Sequence, residues 1–159
     1  MSNSFRHVGE GDKTPYRYTE CGLDDVYLVN GYEIRRMGDE EGVAIKHIGE
    51  LHQAIGCALV TEKKVLSGKE LRFLRKEMDL TQAELGQLVR LTDQSVARWE
   101  KEQCEIPGAA DSLLRLLYLA HIKQKIDVRE LIESLEETDS VGDERFVFQP
   151  TEDGWKQCA

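Results

Sequence analysis

A small group of histidine and cysteine side chains has the chemistry to bind zinc. His47, His52 and Cys57 follow one another at a spacing of five residues. Cys21 could supply a fourth ligand to a tetrahedral site of imidazoles and thiolates. In a helix, however, a step of five residues rotates a side chain by about 140°, so the three do not share one face. We therefore predict no metal site and no cofactor.

The residue patterns of common catalytic sites are missing from the sequence. There is no phosphate-binding loop, no HExxH helix and no nucleophile–base signature, and histidines 7, 47, 52 and 121 suggest no triad. The four cysteines form no CxxC pair, which is typical of reduced thiols. The chain also lacks a signal-peptide core and any run of 18 apolar residues. We expect a cytoplasmic protein that is neither an enzyme nor membrane-bound.

The segment from Leu80 to Glu102 has the pattern of two short helices joined by a turn. Thr81 and Glu84 form a capping box that opens the first helix, and Thr92 offers an N-cap to the second. Val96 and Trp99 give the second helix an apolar face. This pattern is typical of a DNA-binding helix-turn-helix.

The charge distribution favours the same segment. The chain carries a net charge of −9, yet residues 62–101 hold nine basic and seven acidic side chains. The segments before and after them are both acidic. Exposed charges are screened beyond about 8 Å, so local charge matters most for contact with phosphates. The acidic remainder either limits indiscriminate DNA binding or is ordinary solvated surface.

This segment resembles the helix-turn-helix of the Xre/Cro-like repressor family, and with flanking helices the likeness covers about Leu66 to Leu135. The resemblance implies a lambda-repressor-like fold that binds the major groove of a pseudo-palindromic operator as a homodimer, with half-sites about one turn apart. The residues that carry it are Leu80, Thr81, Gln82, Glu84, Leu85, Thr92, Val96, Trp99 and Glu100.

By position, the resemblance assigns contacts with base edges to Asp93, Gln94, Ala97 and Arg98. Gln94 suits adenine and Arg98 suits guanine, whereas Ala97 can meet a thymine methyl. Asp93 can accept from cytosine, but it would repel phosphate and could instead cap the helix or act as a negative filter. The alternative for Arg98 and for Lys101 is ordinary solvated helix charge.

The resemblance also implies contacts with the phosphate backbone. It places Thr81 and Gln82 against a phosphate at the start of the first helix, with Arg90, Thr92 and Lys101 as further contacts. Glu100 is expected to pair with a base such as Arg75 or Arg72.

Two residues depart from the family pattern in this segment. Arg90 stands where the turn usually has glycine, so a positive φ there would cost about 1 kcal/mol. Gly86 replaces the usual alanine; both are small enough for close packing, but glycine lowers helix propensity by about 1 kcal/mol.

The remaining sequence predicts an α+β protein. Residues 1–15 are expected to be disordered, and residues 16–61 to form a small unit of a β-hairpin or three strands plus a helix, with the hairpin turn at Asn30-Gly31. Residues 62–138 should form a five-helix DNA-binding domain whose helix from Ala109 to His121 lies in the core or at a dimer interface. Residues 139–159 are expected to form either a C-terminal strand, which could pair with the N-terminal sheet of the same subunit or of its partner, or a tail that orders only on meeting a partner.

The sequence thus predicts a sequence-specific transcriptional regulator, a repressor or autoregulator. Its layout is similar to that of MqsA-type antitoxins, which implies a toxin protein as a partner of the N-terminal unit, although the chain lacks their CxxC zinc ligands. The alternatives are a stand-alone ligand-responsive regulator and an adaptor that binds protein through a helix-turn-helix scaffold.

Overall fold

The computed structural model describes residues 4–7, 14–138 and 145–158. In this part of the chain the fold is α+β, as predicted, with six helices and two small sheets. The strands are β1 (Ser4–His7), β2 (Tyr16–Arg17), β3 (Val26–Leu28), β4 (Tyr32–Met37), β5 (Glu40–Ile45), β6 (Phe146–Thr151) and β7 (Gly154–Gln157). The helices are α1 (Ile48–Glu62), α2 (Gly68–Glu77), α3 (Gln82–Leu88), α4 (Asp93–Glu100), α5 (Gly108–His121) and α6 (Val128–Glu137).

The first sheet is antiparallel, with the strand order β1-β4-β5. Strands β4 and β5 form a hairpin around the turn residues Gly38 and Asp39. Strand β1 pairs with the other edge of β4. The prediction of disorder for residues 1–15 is therefore wrong for Ser4–His7, while residues 1–3 and 8–13 lie outside the described part of the chain.

The second sheet joins the two ends of the chain, with the order β2-β3-β6-β7. Strand β6 pairs in parallel with β3, so that Val26 faces Phe146 and Leu28 faces Phe148. This pairing confirms the expected C-terminal strand and its association with N-terminal strands of the same chain. Residues 139–144 of the predicted tail lie outside the described residues.

The predicted hairpin at Asn30-Gly31 is wrong, because β3 and β4 lie in different sheets. Strands β2 and β6 occupy both edges of β3, which leaves no edge for β4. Gly31, at φ 80°, instead carries the chain from one sheet to the other. The indole of Trp155 packs so closely there that a Cβ on Gly31 would lie 2.8 Å from its ring.

A single hydrophobic core connects the strands to the helices. It includes Leu28 and Phe148 from the second sheet, Leu51 from α1, Leu74 from α2 and Leu114 from α5. The unit predicted for residues 16–61 thus packs on the helical part, and α5 contributes its buried face to this core. Across the described residues, no helix has both the length and the apolar character that crossing a membrane requires.

Candidate nucleic-acid interface

Side-chain caps fix the starts of both helices in the predicted motif. The hydroxyl of Thr81 accepts from the amide of Glu84, and the Glu84 carboxylate accepts from the amide of Thr81, each over 3.1 Å. The hydroxyl of Thr92 accepts from the amide of Ser95 over 3.2 Å and opens α4. The predicted capping box and N-cap are confirmed. Both threonines are exposed. The Thr81 hydroxyl hydrogen stays available for a further acceptor, whereas the Thr92 hydroxyl also lies 3.2 Å from the hydroxyl of Ser95.

A left-handed residue ends α3 and forms the turn. Arg90 has φ 61°, the conformation expected of the glycine that it replaces. The amide of Leu91 donates to the carbonyl of Gly86 over 2.8 Å, which closes the C-terminal turn of the helix. The backbone is therefore what the family pattern implies, and Arg90 carries the conformational cost.

Gly86 permits an unusually close approach of α3 to the start of α4. A Cβ on this residue would lie 2.8 Å from both the carbonyl carbon and the carbonyl oxygen of Thr92. Alanine would therefore force the backbone of one helix to move. The expectation that alanine is small enough for this packing is wrong, since the two helices contact each other through their main chains.

Helix α4 has sharply different faces. Val96 is fully buried and Trp99 is 4% exposed, which confirms their predicted place in the core. Gln94 and Arg98 lie on the opposite, exposed face together with Lys101, which caps the helix, and Ala97 is half-buried between them. Within the described part of the chain, the side chains of Gln94, Arg98 and Lys101 form no hydrogen bond or ion pair.

Asp93 is exposed and bonded to its own helix. Its Oδ1 accepts from the amide of Gln94 over 2.9 Å, in the first turn of α4. A carboxylate is favourable at this end because the helix dipole is positive there. The capping role that the sequence left open for Asp93 is thus present, and its location still allows contact with a base.

A buried polar network holds α4 against the two preceding helices. Arg75 of α2 donates from Nε to Oε1 of Glu100 over 2.7 Å, and the two side chains are 11% and 5% exposed. The side-chain amide nitrogen of Gln82 donates to Oε2, the other carboxylate oxygen of Glu100. Of the two predicted partners of Glu100, Arg75 is confirmed. Gln82 is half-buried in this network, and its second N–H remains for the predicted phosphate contact.

Gly68, which the sequence did not single out, is a further positioning residue. A Cβ there would lie 2.3 Å from the carbonyl oxygen of Trp99, so α2 begins directly against the end of α4. The amide of Gly68 also donates to the carboxylate of Glu102 over 3.2 Å. No local pattern announces this contact, because its partners are more than thirty residues away in the chain.

The exposed charges around α4 are mixed, with the free cations close to the motif. Arg90, Arg98 and Lys101 are exposed, whereas Arg75 is sequestered by Glu100. Exposed acids also occur nearby, at Glu84 and at other positions in the motif. This surface therefore carries a few separate exposed cations rather than a broad positive field.

The histidine and cysteine residues weighed as zinc ligands have other surroundings. The ring of His52 bridges the hydroxyl of Tyr18 and the carboxylate of Glu77, each over 2.8 Å. This chain of hydrogen bonds links α1 to the last residue of α2. His47 is the left-handed N-cap of α1. Among the described residues, no three potential ligands gather in a way that could hold a metal ion.

Comparisons of the chain with protein-family models, with curated proteins and with solved structures give no match. The function is therefore inferred from the geometry of α3 and α4 and from the chemistry of their exposed side chains.

Proposed function

We propose that the protein is a sequence-specific DNA-binding transcriptional regulator that acts as a repressor or autoregulator. It binds a pseudo-palindromic operator as a homodimer, with α4 in the major groove. The observation that carries this proposal is that α4 has one buried and one exposed face. Val96 and Trp99 are buried, and Gln94 and Arg98 are exposed with no hydrogen-bond or ion-pair partner among the described residues. Unpaired, exposed hydrogen-bonding groups on a rigidly held helix are what base recognition requires.

The dimensions of α4 fit this role. An α-helix with its side chains is about 10–12 Å across, which fits a major groove about 12 Å wide, and the eight residues of α4 extend roughly 12 Å at 1.5 Å per residue. Gln94 can both donate to and accept from adenine, and Arg98 can donate to both acceptors of guanine. Ala97 contacts a thymine methyl in this arrangement, and Asp93 accepts from a cytosine amino group.

The phosphate contacts surround this helix. Thr81 and Gln82 lie at the N-terminus of α3, where the helix dipole favours an anion. Arg90 and Thr92 flank the turn, and Lys101 follows the last residue of α4. These contacts fix the register of the protein on the duplex, while the residues of α4 supply specificity.

The packing around the motif supports the same assignment. Helices α2 to α6 all lie in the range predicted for a lambda-repressor-like domain, with α3 and α4 as its second and third helices. The Arg75–Glu100 pair and Gly68 lock α4 to α2. A helix held in this way presents its side chains in one orientation, which limits the entropic cost of binding.

Binding to the DNA upstream of the protein's own gene tests the proposal. Wild type and a Gln94→Ala, Arg98→Ala double variant are titrated with this duplex and with random duplex at several salt concentrations. We expect the wild type to prefer a palindrome by at least about a thousandfold, and the variant to fall towards non-specific affinity. Arg129→Ala, an exposed arginine on α6, is the matched control and should bind as wild type does.

Wild-type binding that never exceeds binding to random duplex, and that does not weaken as salt rises, would overturn the proposal. Loss of affinity with rising salt is the signature of counterion release by phosphate contacts. Its absence would favour the adaptor, in which the same scaffold binds another protein.

A further inference from the structure

Strand β5 has an unpaired edge. It is the last strand of the β1-β4-β5 sheet, and among the described residues no other strand pairs with its outer side. Glu40, Glu41 and Gly42 are exposed there, and the strand contains neither proline nor a bulge. Such an edge is a template for pairing with another strand unless the protein blocks it.

The register of the hairpin determines which backbone groups point outward. Lys46, directly after β5, donates its amide to the carbonyl of Gly31, directly before β4, over 3.1 Å. In an antiparallel pair, alternate residues face the partner strand, so Glu40, Gly42 and Ala44 also point towards β4. The N–H and C=O groups of the residues between them therefore point away from the sheet; these residues are Glu41, Val43 and Ile45.

We propose that β5 pairs antiparallel with β5 of a second copy of this chain, around a two-fold axis at Val43. In this register Glu41 lies opposite Ile45 of the second copy, and Val43 lies opposite its own counterpart. All three outward-facing residues then exchange backbone hydrogen bonds, which gives about six across the interface. The two sheets become one continuous six-stranded sheet.

Charge selects this register over its neighbours. With the axis at Val43, Glu40 lies opposite Lys46 of the second copy, twice by symmetry. A shift that moves the axis to Gly42 or Ala44 removes this opposition and leaves Glu40 facing an apolar residue. The charge of Glu40 thus favours this register over the two neighbouring ones.

This inference rests on the proposed function in one respect: an operator with two half-sites requires two copies of α4 in a fixed relationship. Pairing along β5 supplies a two-fold axis outside the DNA-binding helices. It therefore assigns the first sheet to dimerisation and leaves the exposed face of α4 for DNA.

Sedimentation of the full, reduced chain without DNA tests the pairing by charge exchange. We expect Glu40→Lys and Lys46→Glu each to raise the dimer dissociation constant by about tenfold, since each change places like charges opposite one another. The double variant should return to within about threefold of the wild type. Lys64→Glu makes the same charge change at an exposed site between α1 and α2 and should have no effect. Single variants that dimerise as the wild type does, or a monomeric wild type, would overturn the proposal.

Amide hydrogen exchange tests the same interface without a substitution. In the dimer, the amides of Glu41, Val43 and Ile45 should be protected, and their protection should fall on dilution. The amides of Gly42 and Ala44, which face β4, should stay protected at every concentration. Fast exchange at the three outward amides in a sedimenting dimer would place the interface elsewhere. Palindrome binding by that dimer would then leave the proposed function intact while the β5 pairing fails.

Discussion

The guanidinium of Arg75 and the carboxylate of Glu100 form a buried ion pair at 2.7 Å that fixes the end of α4 to α2. A second nitrogen of Arg75 donates to the carbonyl of Leu80 over 2.8 Å, so the same side chain also holds the α2–α3 connection directly before the N-cap of α3. Burying two charges costs free energy of desolvation. The hydrogen bonds from Arg75 to Glu100 and to the carbonyl of Leu80 offset this cost.

Removing one partner of this pair should be strongly destabilising. We expect Arg75→Met to lower the free energy of unfolding by about 3–5 kcal/mol, because Glu100 would remain buried without its cation. Urea denaturation measures the change. Arg72→Met, an exposed arginine on the same helix, is the control and should stay within about 0.5 kcal/mol of the wild type. Equal effects of the two substitutions would show that the buried pair contributes no more than a surface charge.

Gly86→Ala should destabilise the protein even though alanine favours a helix. The added methyl group meets the Thr92 main chain at 2.8 Å. We expect an overpacking cost of about 1–3 kcal/mol against a propensity gain of about 1 kcal/mol, hence a net loss of up to about 2 kcal/mol. Gly49→Ala in α1 has open space around it and should instead stabilise by roughly 0.4–1 kcal/mol. A stabilised Gly86→Ala variant in urea denaturation would contradict the main-chain contact.

Local signals in the sequence predicted the helix starts correctly. The capping boxes at Ser67 and Thr81 involve residues three apart, so the pattern contains the whole interaction. Asp127 likewise caps α6 by accepting from the amide of Glu130, three residues further along the chain. The buried face of α4 was predictable for the same reason, because helical periodicity alone separates Val96 and Trp99 from the exposed positions.

Long-range contacts were predicted only in part. The pairing of the C-terminal strand with the N-terminal strands and the Arg75–Glu100 pair were expected, but other contacts were not. Asn30-Gly31 has the composition of a hairpin turn, but β6 competes for the edge of β3 from the far end of the chain. The contact of Gly68 with Trp99 and the bridge from His52 to Glu77 also join distant segments. Such contacts depend on how the helices pack, and no short pattern encodes them.

The stability of the protein should depend on the ionisation of Glu70. Its side chain is 9% exposed, its Oε1 lies 3.7 Å from Nζ of Lys63, and its Oε2 has no hydrogen-bond partner among the described residues. Burial raises the pKa of this carboxyl above its ordinary value of 4.5, and the nearby Lys63 only partly opposes the rise. The folded state therefore holds the Glu70 proton more tightly than the unfolded state.

The sign of the effect follows from proton linkage. The stability that protonated Glu70 contributes is complete below the ordinary pKa of 4.5 and is lost as the pH rises through the higher pKa of the folded state. Glu70→Gln keeps an acceptor for the amide of Ser67 and cannot ionise. Urea denaturation between pH 4 and about pH 7 should show a smaller fall in stability for this variant than for the wild type. Identical pH profiles would show that Glu70 ionises equally easily in both states.

Arg90→Gly should separate folding stability from DNA affinity. Glycine adopts the left-handed conformation at φ 61° without strain, which stabilises the folded state. It also increases the conformational entropy of the unfolded chain, so we expect a net stabilisation of about 0.5–1 kcal/mol. The substitution also removes a proposed phosphate contact from each copy of the dimer, which should lower the slope of log affinity against log salt by about two.

Asp79→Gly is the matched control for this prediction, since Asp79 ends α2 with φ 54° and the amide of Leu80 donates to the carbonyl of Arg75 in the same arrangement. The gain in stability should again be positive but smaller, because aspartate tolerates this conformation better than arginine does. Its salt slope should equal that of the wild type, because Asp79 carries no cation for a phosphate to bind. Equal salt slopes for Arg90→Gly and Asp79→Gly would exclude Arg90 from the phosphate contacts. A destabilised Arg90→Gly variant would contradict the expected gain in stability. It would mean that contacts of the arginine side chain stabilise the turn by more than its left-handed backbone costs.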